Sequence, residues 1–312
     1  MKEVVVFIRS MQFLGTQIVS YPLLYQIKQF WPECHLRVVA QDSVGKHYLS
    51  LPWVDEFVQA DRFGAVYHAM NRSADLLIVL HFASDKYGAA ALLKRPKYRL
   101  GFKNKRMTDF VWTHSHRKDF SEYMGLGNMK VLAAFKSFDP AVAARSCVQV
   151  IAAQHTQAHT VRADVVMMPG GGAGDYKRWP IKEFVRLADL LKPSLPPEAS
   201  FCFVLGPDET KEYEWLLTLK REDFKFLMTR PLPEIAAAVL MAKLVVANDC
   251  GPSHLAQFSG VPYVGVFHEL NHEWFWTRDN TADVVPADGS TEIKHVKPED
   301  VLTACLRVLD AG

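Results

Sequence analysis

Short apolar runs recur along this chain, and most lead through a loop into a stretch of helical period. The run at residues 4–8 is β-branched and continuous, the pattern of a strand buried on both faces of a parallel sheet. A loop through Gly15 follows, and then Ile18, Tyr21, Leu24, Tyr25 and Ile27 mark one helical face that ends near Trp31-Pro32. Further strands are expected at residues 36–40 and 75–80, and a short strand or edge at 98–102, with a helix at 87–93. The second half repeats the grammar, with strands at 164–168, 201–205, 244–247 and 263–267 and helices at 181–191, 209–219, 233–241 and 253–259. Alternation of this kind specifies an α/β chain built from two parallel units. Ligands in such sheets sit beyond the carboxyl ends of the strands, which directs attention to the loops after the strands.

A length of 312 residues suits two domains of roughly 150 each. The expected division places a first domain at 1–155 and a second at 163–297, joined through the aperiodic stretch QHTQAHTVRA. The formal charge of +2 argues against a protein-wide field for nucleic acid. The opening apolar run is too short for a signal segment, and no window reaches the ~18 uncharged apolar residues of a membrane span. Cys34, Cys147, Cys202, Cys250 and Cys305 are scattered and form no CxxC pair, so neither a disulfide framework nor a zinc site is expected. A reduced cytoplasmic protein with no metal is the simplest expectation.

Two loops carry the chemistry. Asn248-Asp249-Cys250-Gly251-Pro252-Ser253-His254 follows an apolar strand and opens a helix of small residues. Gly251 permits close backbone approach, and a helix start favours an anion such as a diphosphate. The plainer alternative is that Asp249 and Ser253 cap the helix while His254 packs. The other loop runs from Pro169 through Gly170, Gly171, Gly172 and Gly174 to Lys177-Arg178-Trp179-Pro180. Its glycines could form a nest of N–H groups for phosphate, with the basic pair adding charge. Its alternative is a flexible connection with Lys177 and Arg178 in solvent. It is neither a Walker A loop nor GxGxxG.

Taken together, the loops closely resemble glycosyltransferase family 9, the ADP-heptose:lipopolysaccharide heptosyltransferases. That family shows K-x-W-P before a helix, then D-[ST]-G-x-x-H, then G-x-P before a strand; here these read Lys177-Arg178-Trp179-Pro180, Asp249-Cys250-Gly251-Pro252-Ser253-His254 and Gly260-Val261-Pro262. Ile8-Arg9, Leu14-Gly15 and Tyr21-Pro22-Leu23-Leu24 follow the family's opening pattern within a residue, and residues 293–301 fit its end. The resemblance implies a GT-B fold, two Rossmann-like domains facing across a cleft, with the last helix, 298–312, packing back on the first. It implies metal-independent, inverting transfer of heptose from ADP-heptose to a lipopolysaccharide core or related glycan, with no cofactor beyond the nucleotide sugar. Lys177 would neutralise the departing diphosphate. Asp249 and the backbone from Gly251 through Ser253 to His254 would hold phosphates or ribose, alongside Gly170, Gly171 and Gly172. Arg9 and Gly15 would lie on the acceptor side.

One family position departs. The aspartate proposed as general base reads Thr16, and a neutral hydroxyl cannot take a proton as a carboxylate does. His81 and Asp85, just after the run at 75–80, are the nearest substitutes, and Asp42 is another. A basic stretch, Lys94, Arg95, Lys97, Arg99, Lys103, Lys105 and Arg106, is either a solvated face or a site for an anionic glycolipid. The latter puts Lys103, Lys105 and Arg106 on the acceptor and the protein in peripheral contact with the inner face of the cytoplasmic membrane. The aromatics beside it are too few for nucleic acid. Trp274-Phe275-Trp276 is either core or a platform for the donor. The rival reading, kept open by Thr16, is a catalytically weak sugar-nucleotide-binding relative with a regulatory or scaffolding role.

Overall fold

Two six-stranded parallel sheets organise the chain. The computed structural model describes residues 1–9, 13–70, 74–156, 160–172 and 174–311. Its two units comprise residues 1–147 and 148–312, dividing within the helix Pro140–Ala152. Part of the expected connector, residues 157–159, lies outside the described residues, as do residues 10–12 of the first loop and Ala173 of the glycine-rich one.

The first sheet contains β1 (Glu3–Phe7), β2 (His35–Ala40), β3 (Glu56–Gln59), β4 (Leu76–Val79), β5 (Tyr98–Lys103) and β6 (His114–Arg117), in the order β3-β2-β1-β4-β5-β6. The second contains β7 (Val165–Met168), β8 (Phe201–Leu205), β9 (Phe224–Met228), β10 (Leu244–Asn248), β11 (Tyr263–Val266) and β12 (Thr281–Val284), in the order β12-β11-β10-β7-β8-β9. Val4, Val5 and Val6 are fully buried, with Val4 opposite both Leu36 and Leu76. Such strands need apolar residues on both faces because helices cover both.

Strand order fixes where ligands can go. In the first unit the chain moves outward from β1 to β3 and then returns to place β4 on β1's other side. The second unit does the same, with β10 beside β7. Each unit therefore has a topological switch point, and the loops leaving its two strands flank a crevice. The segments singled out from the sequence follow those strands: Gly15 and Thr16 lie in the helix Leu14–Ile18 after β1, residues 80–85 follow β4, and residues 169–180 and 249–252 follow β7 and β10.

The last helix is Pro298–Asp310. Val301, Cys305 and Val308, spaced for one face, are fully buried in the second unit's core with Leu187, Leu191 and Val264. Its partner is the helix Ile181–Leu191, to which an Arg186–Glu299 ion pair also ties it. This apolar face is buried by the second unit's own core.

Candidate functional site

β7 and β10 run side by side with Leu244 opposite Val165 and Ala247 opposite Met168. Their exits are clasped together: Asn248, fully buried at the end of β10, donates from Nδ2 to the Pro169 carbonyl at 2.7 Å. One residue on, Asp249 forms an ion pair with Lys177, with only 13% and 16% of the two side chains exposed. Both charges are thus held at the second unit's switch point, in a setting that strengthens electrostatic interactions.

The glycine-rich loop is more structured than a flexible connection. Residues Asp175–Lys177 make a 3-10 turn, and Gly174 enters it at φ +129°, a conformation that favours glycine. Arg178 turns inward: its Nε donates to the Gly171 carbonyl at 3.2 Å, and its guanidinium lies 3.2 Å from the buried Glu209. A Cβ on Gly171 would come within 2.9 Å of the Arg178 side chain, so glycine is needed there for close approach. Gly170 lies against the Glu209 carboxylate, which also accepts from the Gly206 N–H at 2.8 Å, while Gly172 is exposed. Tyr176, largely exposed, meets His268 edge-on at 5.1 Å and so links the loop after β7 to the one after β11.

The second loop is more inward-facing than its sequence suggests. Ser253 donates its hydroxyl to the Cys250 carbonyl at 2.7 Å, and the N–H groups of Ser253 and His254 are used at 3.2 Å on Cys250 and Gly251 within the same turn. The side chains of Ser253 and His254 are buried. Burial pushes the His254 pKa down to about 4, so this ring is neutral. It packs on Trp274 at 5.7 Å, and Gln257 approaches its Nδ1 at 3.3 Å. The side chains of Ser253 and His254 thus turn into the fold, and Asp249 and Lys177 are the charged groups brought together. Gly251 stays partly exposed beside Asp249. Of the aromatic trio, Phe275 and Trp276 are core residues and Trp274 is half-buried against His254.

In the first unit the candidate bases fare unequally. Thr16 is 7% exposed and its hydroxyl donates to the carbonyl of Phe13, the N-cap of its short helix, at 2.7 Å; Gly15 is buried beside it. Asp42 accepts from the Val44 N–H at 3.0 Å and caps a 3-10 turn. Asp85 accepts from the Thr108 hydroxyl at 2.8 Å and pairs with Arg106 at 3.1 Å, contacts that hold its carboxyl below the usual range. Thr16 and Asp42 bond to backbone close by in sequence, whereas Asp85 is engaged by Thr108 and Arg106 of the β5–β6 connection. His81 differs: its Nδ1 is buried with no hydrogen-bond partner among the described residues, and its ring lies 4.6 Å from that of Tyr87. Burial, reinforced by Lys86 and Arg9, lowers its pKa to about 4. Arg9 stacks over Phe82 at 4.5 Å, beside this loop.

The basic stretch is not one face. Arg99 turns inward to the carbonyls of Val111 and Pro96, and Lys94 sits over the Tyr67 ring. Lys103 and Lys105 remain exposed, while Arg106 is drawn to Asp85. Sequence reasoning passed over Asn248 as a clasp, and it missed Glu209, Tyr176 and His268. All four lie at carboxyl ends of strands in the second sheet, which was the available signal.

Comparison with known proteins places these loops in context. The model of glycosyltransferase family 9 (heptosyltransferase) matches residues 66–301. Among solved structures, a glycosyl transferase of family 9 from Veillonella parvula is 17% identical, with 100% of this chain and 98% of that chain covered and a TM-score of 0.67. The ADP-heptose lps heptosyltransferase II of E. coli is also 17% identical, with coverage of 99% and 98% and a TM-score of 0.62. The E. coli heptosyltransferase WaaC, solved with ADP-2-deoxy-2-fluoro heptose, is 15% identical, with coverage of 96% and 98% and a TM-score of 0.69. At such identities the likeness shows the fold, which is the GT-B pair of Rossmann-like domains. Comparison with curated proteins gives no significant match. No described helix is long and apolar enough to cross a membrane, and no group of metal-ligating side chains occurs among the described residues.

Proposed function

Because the chain belongs to glycosyltransferase family 9, and is on that ground a sugar transferase, we propose that it moves heptose from ADP-heptose onto a lipopolysaccharide core or related bacterial glycan, with inversion and without a metal ion. The observation that carries this reading is the Lys177–Asp249 pair at the second unit's switch point, with Gly171 close to the Lys177 backbone. Transfer requires the acceptor hydroxyl oxygen to bond to the anomeric carbon as the bond from that carbon to the diphosphate breaks. The electron pair leaves with the nucleoside diphosphate, and negative charge grows on its terminal phosphate. A fixed ammonium aimed at that charge lowers the barrier most where water is excluded.

In this proposal Asp249 holds Lys177 ready at the strand end until the donor diphosphate competes for the ammonium. Arg178, engaged with Gly171 and Glu209, shapes the loop rather than meeting phosphate. The acceptor belongs to the first unit, with Arg9, Lys103 and Lys105 as its anion contacts. The hydroxyl proton passes to His81 or to water. His81 is the candidate base whose ring nitrogen is not committed to its own loop, although a pKa of about 4 makes it a weak acceptor. General-base help is worth about 10²–10⁴-fold, so a slow enzyme is expected.

The test supplies purified protein with ADP-heptose and a heptose-free lipopolysaccharide core, following ADP release, acceptor mass and product stereochemistry. One added heptose of inverted configuration, formed equally in a chelator, is the expected result. Tight ADP-heptose binding without transfer to any core acceptor would replace this reading with that of a sugar-nucleotide-binding relative.

A further inference from the structure

The connection from β5 to β6 holds two large apolar side chains in solvent. Met107 is 87% exposed and Phe110 73%. Exposure on this scale forgoes burial energy. The turn is well fixed. Asp109 accepts from the N–H groups of Asn104 at 3.0 Å and Arg106 at 3.1 Å, Thr108 is bound to Asp85 by both its N–H and its hydroxyl, and Val111 is buried. Lys105 adopts φ +54°, the left-handed region that non-glycine residues enter at a cost. The turn thus holds Thr108 and Asp109 in hydrogen bonds while Met107 and Phe110 stay in solvent.

Its charges are sorted in the same way. The carboxylates nearby, Asp85 and Asp109, are occupied by the loop itself. Lys103 and Lys105 are exposed and make no ion pair among the described residues. An apolar tip beside uncompensated lysines matches a surface that is apolar at depth and negative above. We propose that the β5–β6 connection docks on an anionic lipid bilayer, with Met107 and Phe110 entering the interface and Lys103 and Lys105 meeting lipid phosphates. Two side chains on a short turn fall far below the ~800 Å² per partner of a standard protein interface. A bilayer demands no such area and no shape complement. This deepens the acceptor reading above and rests on it for its purpose, since a lipid-anchored acceptor lies at such a surface.

Sedimentation with vesicles of phosphatidylcholine alone, or mixed with phosphatidylglycerol, tests the proposal. The protein binds the mixed vesicles, and added salt weakens that binding. Met107→Ser with Phe110→Ser weakens it about tenfold or more. Lys103→Glu with Lys105→Glu weakens it by about fivefold or more per lysine. The serine variant keeps its transfer rate toward a soluble, lipid-free acceptor. Failure of the parent to bind anionic vesicles, or equal binding by the serine variant, overturns the docking assignment. So does a dimer that the serine substitutions dissociate without any vesicle binding, which would give the loop to a second copy of the chain. Vesicle binding that obeys all four expectations, in a protein that transfers no sugar, leaves docking in place and removes the function proposed above.

Discussion

Lys177 and Asp249 lie 72 residues apart in sequence and meet as an ion pair at adjacent strand ends. Each is mostly shielded from water, so neither is a surface charge whose loss would go unnoticed. Lys177→Ala is expected to slow transfer roughly a hundredfold or more, because one positioned electrostatic stabiliser is removed. Steady-state kinetics on the folded variant check this, and an unchanged rate would make the pair structural only. A second expectation at this scale concerns His254. Its pKa is lowered to about 4 chiefly by burial, against about 6.5 in an unfolded chain. Above pH ~6.5 the ring is neutral in both states and stability is independent of it. As pH falls from ~6.5 toward ~4, the unfolded chain takes up a proton that the folded one refuses, and stability drops by up to about 1.4 kcal/mol per unit. His81 adds to the same trend, less so because it is only half-buried. Urea unfolding across this range should show the slope, and His254→Gln should flatten it; an identical slope in that variant would mean the ring is not the proton acceptor.

At the scale of elements, the donor loop is held from beneath. Trp179 is buried, packs on Phe184 at 4.9 Å and donates from Nε1 to the Val296 carbonyl at 2.9 Å. It thereby fastens the end of the loop that carries Lys177 to the segment leading into the last helix. Trp179→Phe keeps most of the ring volume and strands a buried carbonyl, which costs about 1–3 kcal/mol. A lower melting temperature together with a raised KM for the donor is expected, because the loop loses its footing. A stability loss with unchanged donor KM would show that the loop is set by the Asn248–Pro169 clasp alone.

For the whole molecule, the two units offer different chemistry. The second presents the paired charges and glycine backbone suited to a diphosphate; the first presents Arg9, Lys103 and Lys105 at its carboxyl edge. A ligand that binds only the folded state stabilises it by about 2.7 kcal/mol at a hundredfold excess over its Kd. A thermal-shift series over nucleoside diphosphates should therefore raise the melting temperature most with ADP, and Lys177→Ala should reduce that shift. A larger response to another base would leave the fold assignment standing and change the donor.

How much of this was legible depends on burial. The eight strands expected from apolar runs are the interior strands of the two sheets, where burial on both faces keeps most positions apolar. The four unexpected ones, β3, β6, β9 and β12, are the four sheet edges. They read EFVQ, HSHR, FKFLM and TADV, because a strand paired on one side only and partly exposed can carry polar residues. Local pattern was also enough to place the helices Ile181–Leu191 and Ser253–Ser259 and the loops before them. By itself, then, the sequence determined the α/β class, the two-unit organisation and the two loops that hold Lys177 and Asp249, since periodicity and glycine placement are local properties. Only the tertiary structure decided that Arg178 turns to Glu209, that Ser253 and His254 face inward, that Asp85 is engaged by Thr108 and Arg106, and that the last helix joins the second unit's core. Those outcomes depend on which strand lies beside which, and on what each side chain meets there, neither of which is written in the spacing of residues along the chain.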